Sequence, residues 1–184
     1  MPASTSQLSK LPPSVRLAPA TEKDVGLILW FIKQLALYEK APEQVEATES
    51  LLRKNLFGAR PYAEVIIAYV SIKKSNDPTA MDVEEKPAGF ALFFHNFSTW
   101  VGRPGLYLED LFVCSEYRGL GIGKMLLVQL AKIAKERECG RLEWVVIDWN
   151  EPAIQFYLSL GAKQMKEWII NRVSGKALED MSNM

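Results

Sequence analysis

Histidine is almost missing from this chain. His95 stands alone among 184 residues, so a multi-histidine metal site or a Ser-His-Asp relay would have to be built around one side chain. Cysteine is scarce as well. Cys114 and Cys139 stand in neither a metal-ligand nor a redox spacing, and two unpaired thiols suit a reducing, cytoplasmic setting. Neither sign of charge is in excess: 22 Lys and Arg balance 22 Asp and Glu. That balance removes the basic footprint of a nucleic-acid binder and leaves open a local acidic pocket for a cationic substrate. No apolar run approaches the roughly 18 residues that span a bilayer, so no membrane partner is expected. Met1 to Pro13 lacks the apolar core of a secretory signal and is rich in Ser, Thr and Pro, the composition of a disordered tail.

What is present reads as one mixed α/β domain over 14–184. Val15 to Ala18 forms a short strand. Thr21 offers an N-cap, with Asp24 three residues on, to a helix whose apolar positions Val25, Ile28, Leu29, Ile32, Leu35 and Ala36 recur at helical spacing as far as Tyr38. A second helix spans Glu49 to Phe57 and stops at Gly58. Strands are expected over Ala63 to Ile72, Ala88 to Phe97 and Leu106 to Val113, with Lys73 to Pro87 as an exposed hairpin loop. Ile122 to Glu138 is a strongly amphipathic helix. Arg141 to Ile147 follows as a strand, Pro152 to Leu160 as a helix ending at Gly161, and Lys163 to Val173 as a last strand. Lys132, Lys135, Arg137 and Arg141 are spread around a helix and its exit, as on a solvated face.

The most informative stretch is Tyr117-Arg118-Gly119-Leu120-Gly121-Ile122-Gly123-Lys124, which leaves a strand and enters the long helix. Alternate glycines let the backbone take positive φ and approach a ligand closely. Successive N–H groups can line one concavity, the following helix puts its positive end on an anion, and Arg118 and Lys124 add charge. A ligand-free strand-to-helix turn would show the same glycines. A Rossmann site needs G-x-G-x-x-G early in a βαβ unit, and a Walker A loop needs Ser or Thr where Met125 follows Lys124; both fit poorly.

Arg118-x-x-Gly121-x-Gly123 resembles the acetyl-CoA motif of the GNAT superfamily. The likeness continues in Leu108-Glu109-Asp110-Leu111-Phe112-Val113, in Trp149-Asn150-Glu151-Pro152-Ala153-Ile154-Gln155-Phe156-Tyr157, in Tyr38-Glu39, in Glu43-Gln44-Val45 and in Phe90-Ala91-Leu92-Phe93-Phe94. These segments are similar to the diamine (spermidine/spermine) and thialysine acetyltransferases, and the similarity covers about Val15 to Trp168. It implies a mixed sheet flanked by helices, whose fourth and fifth strands splay to admit acetyl-CoA. Backbone along Leu111, Phe112 and Val113 would hold the pantetheine arm. Arg118, Gly119, Leu120, Gly121, Ile122, Gly123 and Lys124 would hold the pyrophosphate, and Asn150, with Pro152 and Ala153 behind it, would meet the cofactor from the next helix. It also implies a homodimer whose active sites draw on both subunits.

Acetyl transfer to an amine needs removal of the ammonium proton, polarisation of the thioester carbonyl, and a proton for the departing thiolate. Glu109 and Asp110 interrupt an apolar strand, where a carboxylate is costly unless paired or functional. Alternation puts them on opposite faces, so they are not expected to share a role. The resemblance singles out Glu109 to take the amine proton through water; Asp110 either binds the cation or holds structure. Tyr157, two helical turns beyond Asn150, is the candidate acid for the thiolate; a buried core tyrosine is the alternative. By resemblance Tyr38 and Glu39 sit at the mouth of the amine site, Glu143 and Trp144 begin the fifth strand beside the substrate, and Glu167 belongs to the far wall. His95 reads as packed or exposed rather than as a base. Cys114 has no neighbouring base to make an acyl-accepting thiolate. The acceptor would be a small polycation or a lysine-like amino acid, with no metal required. A protein N-terminus or lysine, and a non-catalytic CoA- or polyamine-binding module, are the competing readings.

Overall fold

A computed structural model describes residues 14–73 and 83–184; the expected N-terminal tail and the middle of the Lys73 to Pro87 loop lie outside them. The chain falls into two compact units, one reaching Val145 and the other running from Val146 to Met184.

The first unit is a five-stranded sheet in sequential order: β1 (Val15–Pro19), β2 (Glu64–Lys73), β3 (Val83–Ser98), β4 (Arg103–Val113) and β5 (Leu142–Trp144). The first three pairings are antiparallel and β4–β5 is parallel, so the sheet is mixed. β3 starts at Val83, so the expected hairpin loop is shorter and 83–87 belong to the strand. Three helices complete the unit: α1 (Val25–Tyr38), α2 (Glu49–Phe57) and α3 (Ile122–Glu136). α1 is entered through a single 3-10 turn, where Thr21 N–H donates to Asp24 Oδ2 at 2.7 Å. α2 is capped by Thr48, whose hydroxyl accepts from Leu51 N–H at 3.2 Å.

One core joins α1 and α2 to the sheet. Ile28 and Phe31 of α1 and Leu56 of α2 pack on Val65, Ile67, Phe90, Leu92 and Phe112, with the Phe31 and Phe90 rings stacked at 5.1 Å. Burying a side chain such as Phe31 contributes on the order of 2–3 kcal/mol. α3 buries Ile122, Leu126 and Leu130 at a spacing of four residues, the stripe that fixes its register on the sheet. Arg137 at its C-cap is fastened by a two-pronged ion pair to Glu64 at the start of β2.

The second unit contains α4 (Glu151–Ser159) and α5 (Gly175–Ser182). Two expectations are corrected at this end of the chain. The fifth strand is three residues long rather than running from Arg141 to Ile147. No strand forms over Lys163 to Val173, although Ile169 and Ile170 are strongly β-prone, and this stretch is exposed irregular chain. A strand exists only as part of a ladder, and the sheet of the described residues ends at β5, which pairs over three residues on one side. Beyond them α5 forms where the sequence pattern predicts no element. Ser174 stands at its N-cap, Leu178 and Met181 share a face, and Lys176 pairs with Asp180 at 2.7 Å.

Candidate active site

β4 carries the site, and one extra residue in it sets the geometry. Leu92 of β3 faces Asp110, whereas the next residue, Phe93, faces Leu108; Glu109 has no partner across the ladder. This is a β-bulge, which breaks alternation and bends the strand locally. Simple alternation, on which the expected placing of Glu109 and Asp110 rested, therefore does not run through this point: Leu108 and Asp110, two positions apart, lie on opposite faces. Asp110 lies on the α1 face with Phe112, and on the other side of the bulge that face continues through Tyr107 and Gly105.

The bulge also redirects backbone donors. Leu106 N–H donates to the C=O of Arg141, just before β5, at 3.0 Å, whereas Cys114 N–H, eight positions on, donates to Ala88 C=O on the β3 side at 2.9 Å. A regular strand would send both to the same edge. With the reset at Glu109, the donors of Leu111 and Val113 face the edge away from β3. β5 stops opposite Leu108, so from Glu109 to Val113 no strand of the described residues lies beside that edge. Backbone amides in this position are groups that a ligand's amides can satisfy.

Beyond β4 a 3-10 turn over Ser115–Tyr117 leads to the glycine loop. Gly119 and Gly121 adopt φ of +80° and +77°, and a Cβ at either would meet nothing within 4 Å. Glycine is thus required by conformation, and the space beside each is open to a ligand. Gly123 does not share this conformation: it lies in the first turn of α3, with Ile122 buried beneath it. Gly121 is itself the N-cap and offers no side-chain cap, so the first N–H groups of a 15-residue helix face outward where an anion would sit. Leu120 and Lys124 are exposed. Arg118 turns inward instead, donating from Nε to Val113 C=O at 3.0 Å and stacking 4.8 Å above the Tyr38 ring and 5.8 Å from Phe112. It braces the loop against both β4 and α1.

The same face is acidic. Asp110 is largely buried, and desolvation, then the charges of Glu109 and Glu39, push its carboxyl up to about 7. Glu39 caps the C-terminus of α1, held by the left-handed Lys40 that follows, and burial raises its carboxyl too. Glu109 is exposed. Cys114 is buried, and desolvation lifts its thiol to about 11, which fits its reading as an inert residue. His95 is exposed.

Glu143 of β5 accepts at Oε2 from Asn96 Nδ2 at 2.8 Å, and the same oxygen lies 2.8 Å from Arg141 Nε in an ion pair; Trp144 is the last paired residue of that strand. Arg137 and Arg141, grouped in the sequence reading with a solvated face, are both ion-paired. Arg141-x-Glu143 on a strand is a same-face pair, a signal that could have found the second. In the second unit, Asn150 is the N-cap of α4, its Oδ1 accepting from Ala153 N–H at 3.4 Å, with Pro152 at the start of the helix. Tyr157 lies two turns on, half-buried, with its ring 5.4 Å from that of Phe156. Glu167 is exposed in the irregular stretch. A cavity of about 410 Å³ opens elsewhere, at the far end of α3 among Leu17, Phe57, Ile66 and Arg137. Among the described residues no three His, Cys, Asp or Glu side chains group as metal ligands, and no helix is long and apolar enough to cross a membrane.

The model of the Acetyltransferase (GNAT) family matches residues 30–162. The chain belongs to that family. It is an N-acetyltransferase that moves an acetyl group from acetyl-CoA to an amine. Among its relatives, the L-ornithine N5-acetyltransferase of Arabidopsis thaliana is 35% identical, over 92% of this chain and 88% of that protein. The thialysine N-epsilon-acetyltransferase of Bos taurus is 36% identical, over 91% of this chain and 97% of that one. A solved integron cassette protein of V. cholerae superposes with a TM-score of 0.72 at 28% identity, covering 93% of this chain and 99% of its own.

Proposed function

We propose that this GNAT enzyme acetylates the terminal primary amine of a small cationic molecule, a lysine- or ornithine-like amino acid or a polyamine, by direct attack within a ternary complex. The observation that carries the reading is the grouping of three carboxyls, Glu109, Asp110 and Glu39, at this part of β4, near enough to one another that Glu109 and Glu39 both raise Asp110. Such a grouping favours a diamine over a neutral acceptor. The relatives support the same class, since those named above act on ornithine and thialysine.

Acetyl-CoA supplies an activated acyl thioester. The chain's part is to hold it and to move protons. Outward donors of Leu111 and Val113 bind the amides of the pantetheine arm, and the N–H groups following Gly119 and Gly121 bind the diphosphate. Glu109, exposed at the bulge, takes the ammonium proton through a water, and Glu39 with Asp110 holds a second positive charge. Tyr157 gives its phenolic proton to the sulfur as the acyl bond breaks. The homodimer implied by the resemblance and the cytoplasmic setting suggested by two unpaired thiols belong to the same proposal; sedimentation of the purified protein and fractionation of cells check them.

Thioester consumption, followed as free thiol against a panel of ornithine, thialysine, spermidine, spermine and lysine-bearing peptides, tests the reading. Turnover on the small diamines with little on peptides is expected. Peptide acetylation in preference would place the enzyme among protein acetyltransferases, and consumption indifferent to every amine would leave a CoA-binding module.

A further inference from the structure

We infer that Glu143 is a positioning residue: together with Asn96 and Arg141 it forms a side-chain bridge over Gly105 that ties β5 to β3 across β4 and so fixes where β4 and β5 part. The inference rests on the reading that acetyl-CoA lies along the uncovered edge of β4.

β5 is weak by itself. It pairs only Leu142 to Trp144 with Leu106 to Leu108, shorter than the usual strand. Side chains supply what the ladder lacks. Asn96 Nδ2 donates to Glu143 Oε2 at 2.8 Å, and Arg141 Nε stands 2.8 Å from the same oxygen. Asn96 faces Gly105 in one register and Glu143 faces Tyr107 in the other, so the bridge passes over β4 at a residue that has no side chain. A Cβ on Gly105 would overlap Asn96 Oδ1 and lie 3.0 Å from Arg141 Cγ.

As a stabilising device the bridge is poor. Asn96 Oδ1 and Arg141 Nε are both buried without a hydrogen-bond partner among the described residues, Nε meeting Glu143 as an ion-pair contact only, which is costly. The Arg141–Glu143 pair is 37% exposed on each side, where ion pairs return little. An arrangement that leaves an acceptor and a donor unsatisfied for so small a return is accounted for by the geometry it holds. That geometry is the end of the β4–β5 ladder: Trp144 opposite Leu108, one residue before Glu109. If β5 slipped or peeled, the uncovered edge would lengthen and the arm would lose its seat.

Steady-state kinetics with acetyl-CoA and amine varied separately distinguish this role from direct contact between Glu143 and the amine. Glu143→Ala and Gly105→Ala are each expected to raise KM for acetyl-CoA by about tenfold or more, the scale of a sub-ångström to 1 Å displacement, with amine KM within about twofold of the parent. Glu143→Gln, which keeps an acceptor for Asn96, should recover part of the loss. Gly105 has no side chain to offer a substrate, so a phenotype shared with it is one that a contact role cannot produce. A rise in amine KM alone in Glu143→Ala overturns the inference, as does an unaltered acetyl-CoA KM in folded Gly105→Ala. Should Gly105→Ala not fold, Asn96→Ala cuts the bridge from the β3 side and is judged by the same criterion. Gly121→Ala serves as reference. If it too leaves acetyl-CoA KM unchanged, the cofactor reading has failed and the bridge's role falls with it. An effect there with none in the Glu143 and Asn96 variants rejects the bridge alone.

Discussion

Replacing Gly121 with alanine separates what the loop costs the fold from what it gives the ligand. At φ +77° an alanine Cβ meets no protein atom within 4 Å, so the loss of stability is the left-handed backbone penalty alone, about 1–2 kcal/mol. For a domain of this size that is roughly 2–8 °C in Tm. The methyl group would stand in the space where the diphosphate is held. Losing one amide bond to a charged oxygen is worth about 1.5–3 kcal/mol, or roughly 10- to 150-fold in Kd. Gly102 is the control. It adopts φ +67° in the β3–β4 turn, and a Cβ there would also meet nothing within 4 Å, so Gly102→Ala suffers the same backbone penalty far from the loop. Titration calorimetry with acetyl-CoA and thermal melts of both variants give the answer. Similar Tm losses with weakened binding only in Gly121→Ala are expected. Parent-like affinity in Gly121→Ala, or an equal loss in Gly102→Ala, would overturn this account of the loop.

Glu109→Gln should lower turnover by about a hundredfold or more while acetyl-CoA affinity holds, and Tyr157→Phe should do likewise; pre-steady-state thiol release with separate binding titrations checks both. Asp110 has a folded-state pKa of about 7, against an ordinary value of 3.8. Between those values the folded state holds the proton more tightly than the unfolded one. This group's contribution to stability is therefore full below about 4 and is lost as pH rises through 7. Asp110→Asn should accordingly stabilise the protein at pH 8, by of order 2–4 kcal/mol, and do little at pH 4; denaturant melts at the two pH values decide it. Glu138 sits in the left-handed region just after α3, with φ 56°. Glu138→Gly should raise stability by about 0.5–1 kcal/mol without touching kinetics, measured as the shift in urea midpoint.

Much of this was legible in the sequence because it rests on local rules. α2 spans Glu49 to Phe57 and stops before Gly58, as its sequence predicts, and the start of α3 follows from the glycines before Ile122. The family-bearing segments fall on β4, the glycine loop and α4. What escaped depends on partners distant in the chain. The bulge at Glu109 leaves no mark on an apolar strand, because whether a residue is extra depends on β3 opposite it. Lys163 to Val173 has the composition of a strand, yet composition does not supply a ladder. Arg141 looked like surface charge because Asn96 and Gly105, which give it a structural setting, are more than 30 residues away in the sequence.

The unpaired Glu109 makes β4 a strand whose length is counted to the residue. Deleting any single position between Leu106 and Leu111 would cancel the parity change, turning the amides of Leu111 and Val113 back toward β3 and Asp110 away from α1. Insertions in the β2–β3 connection carry no such penalty. Natural variation in chain length among homologues should therefore collect in that connection and spare this segment altogether.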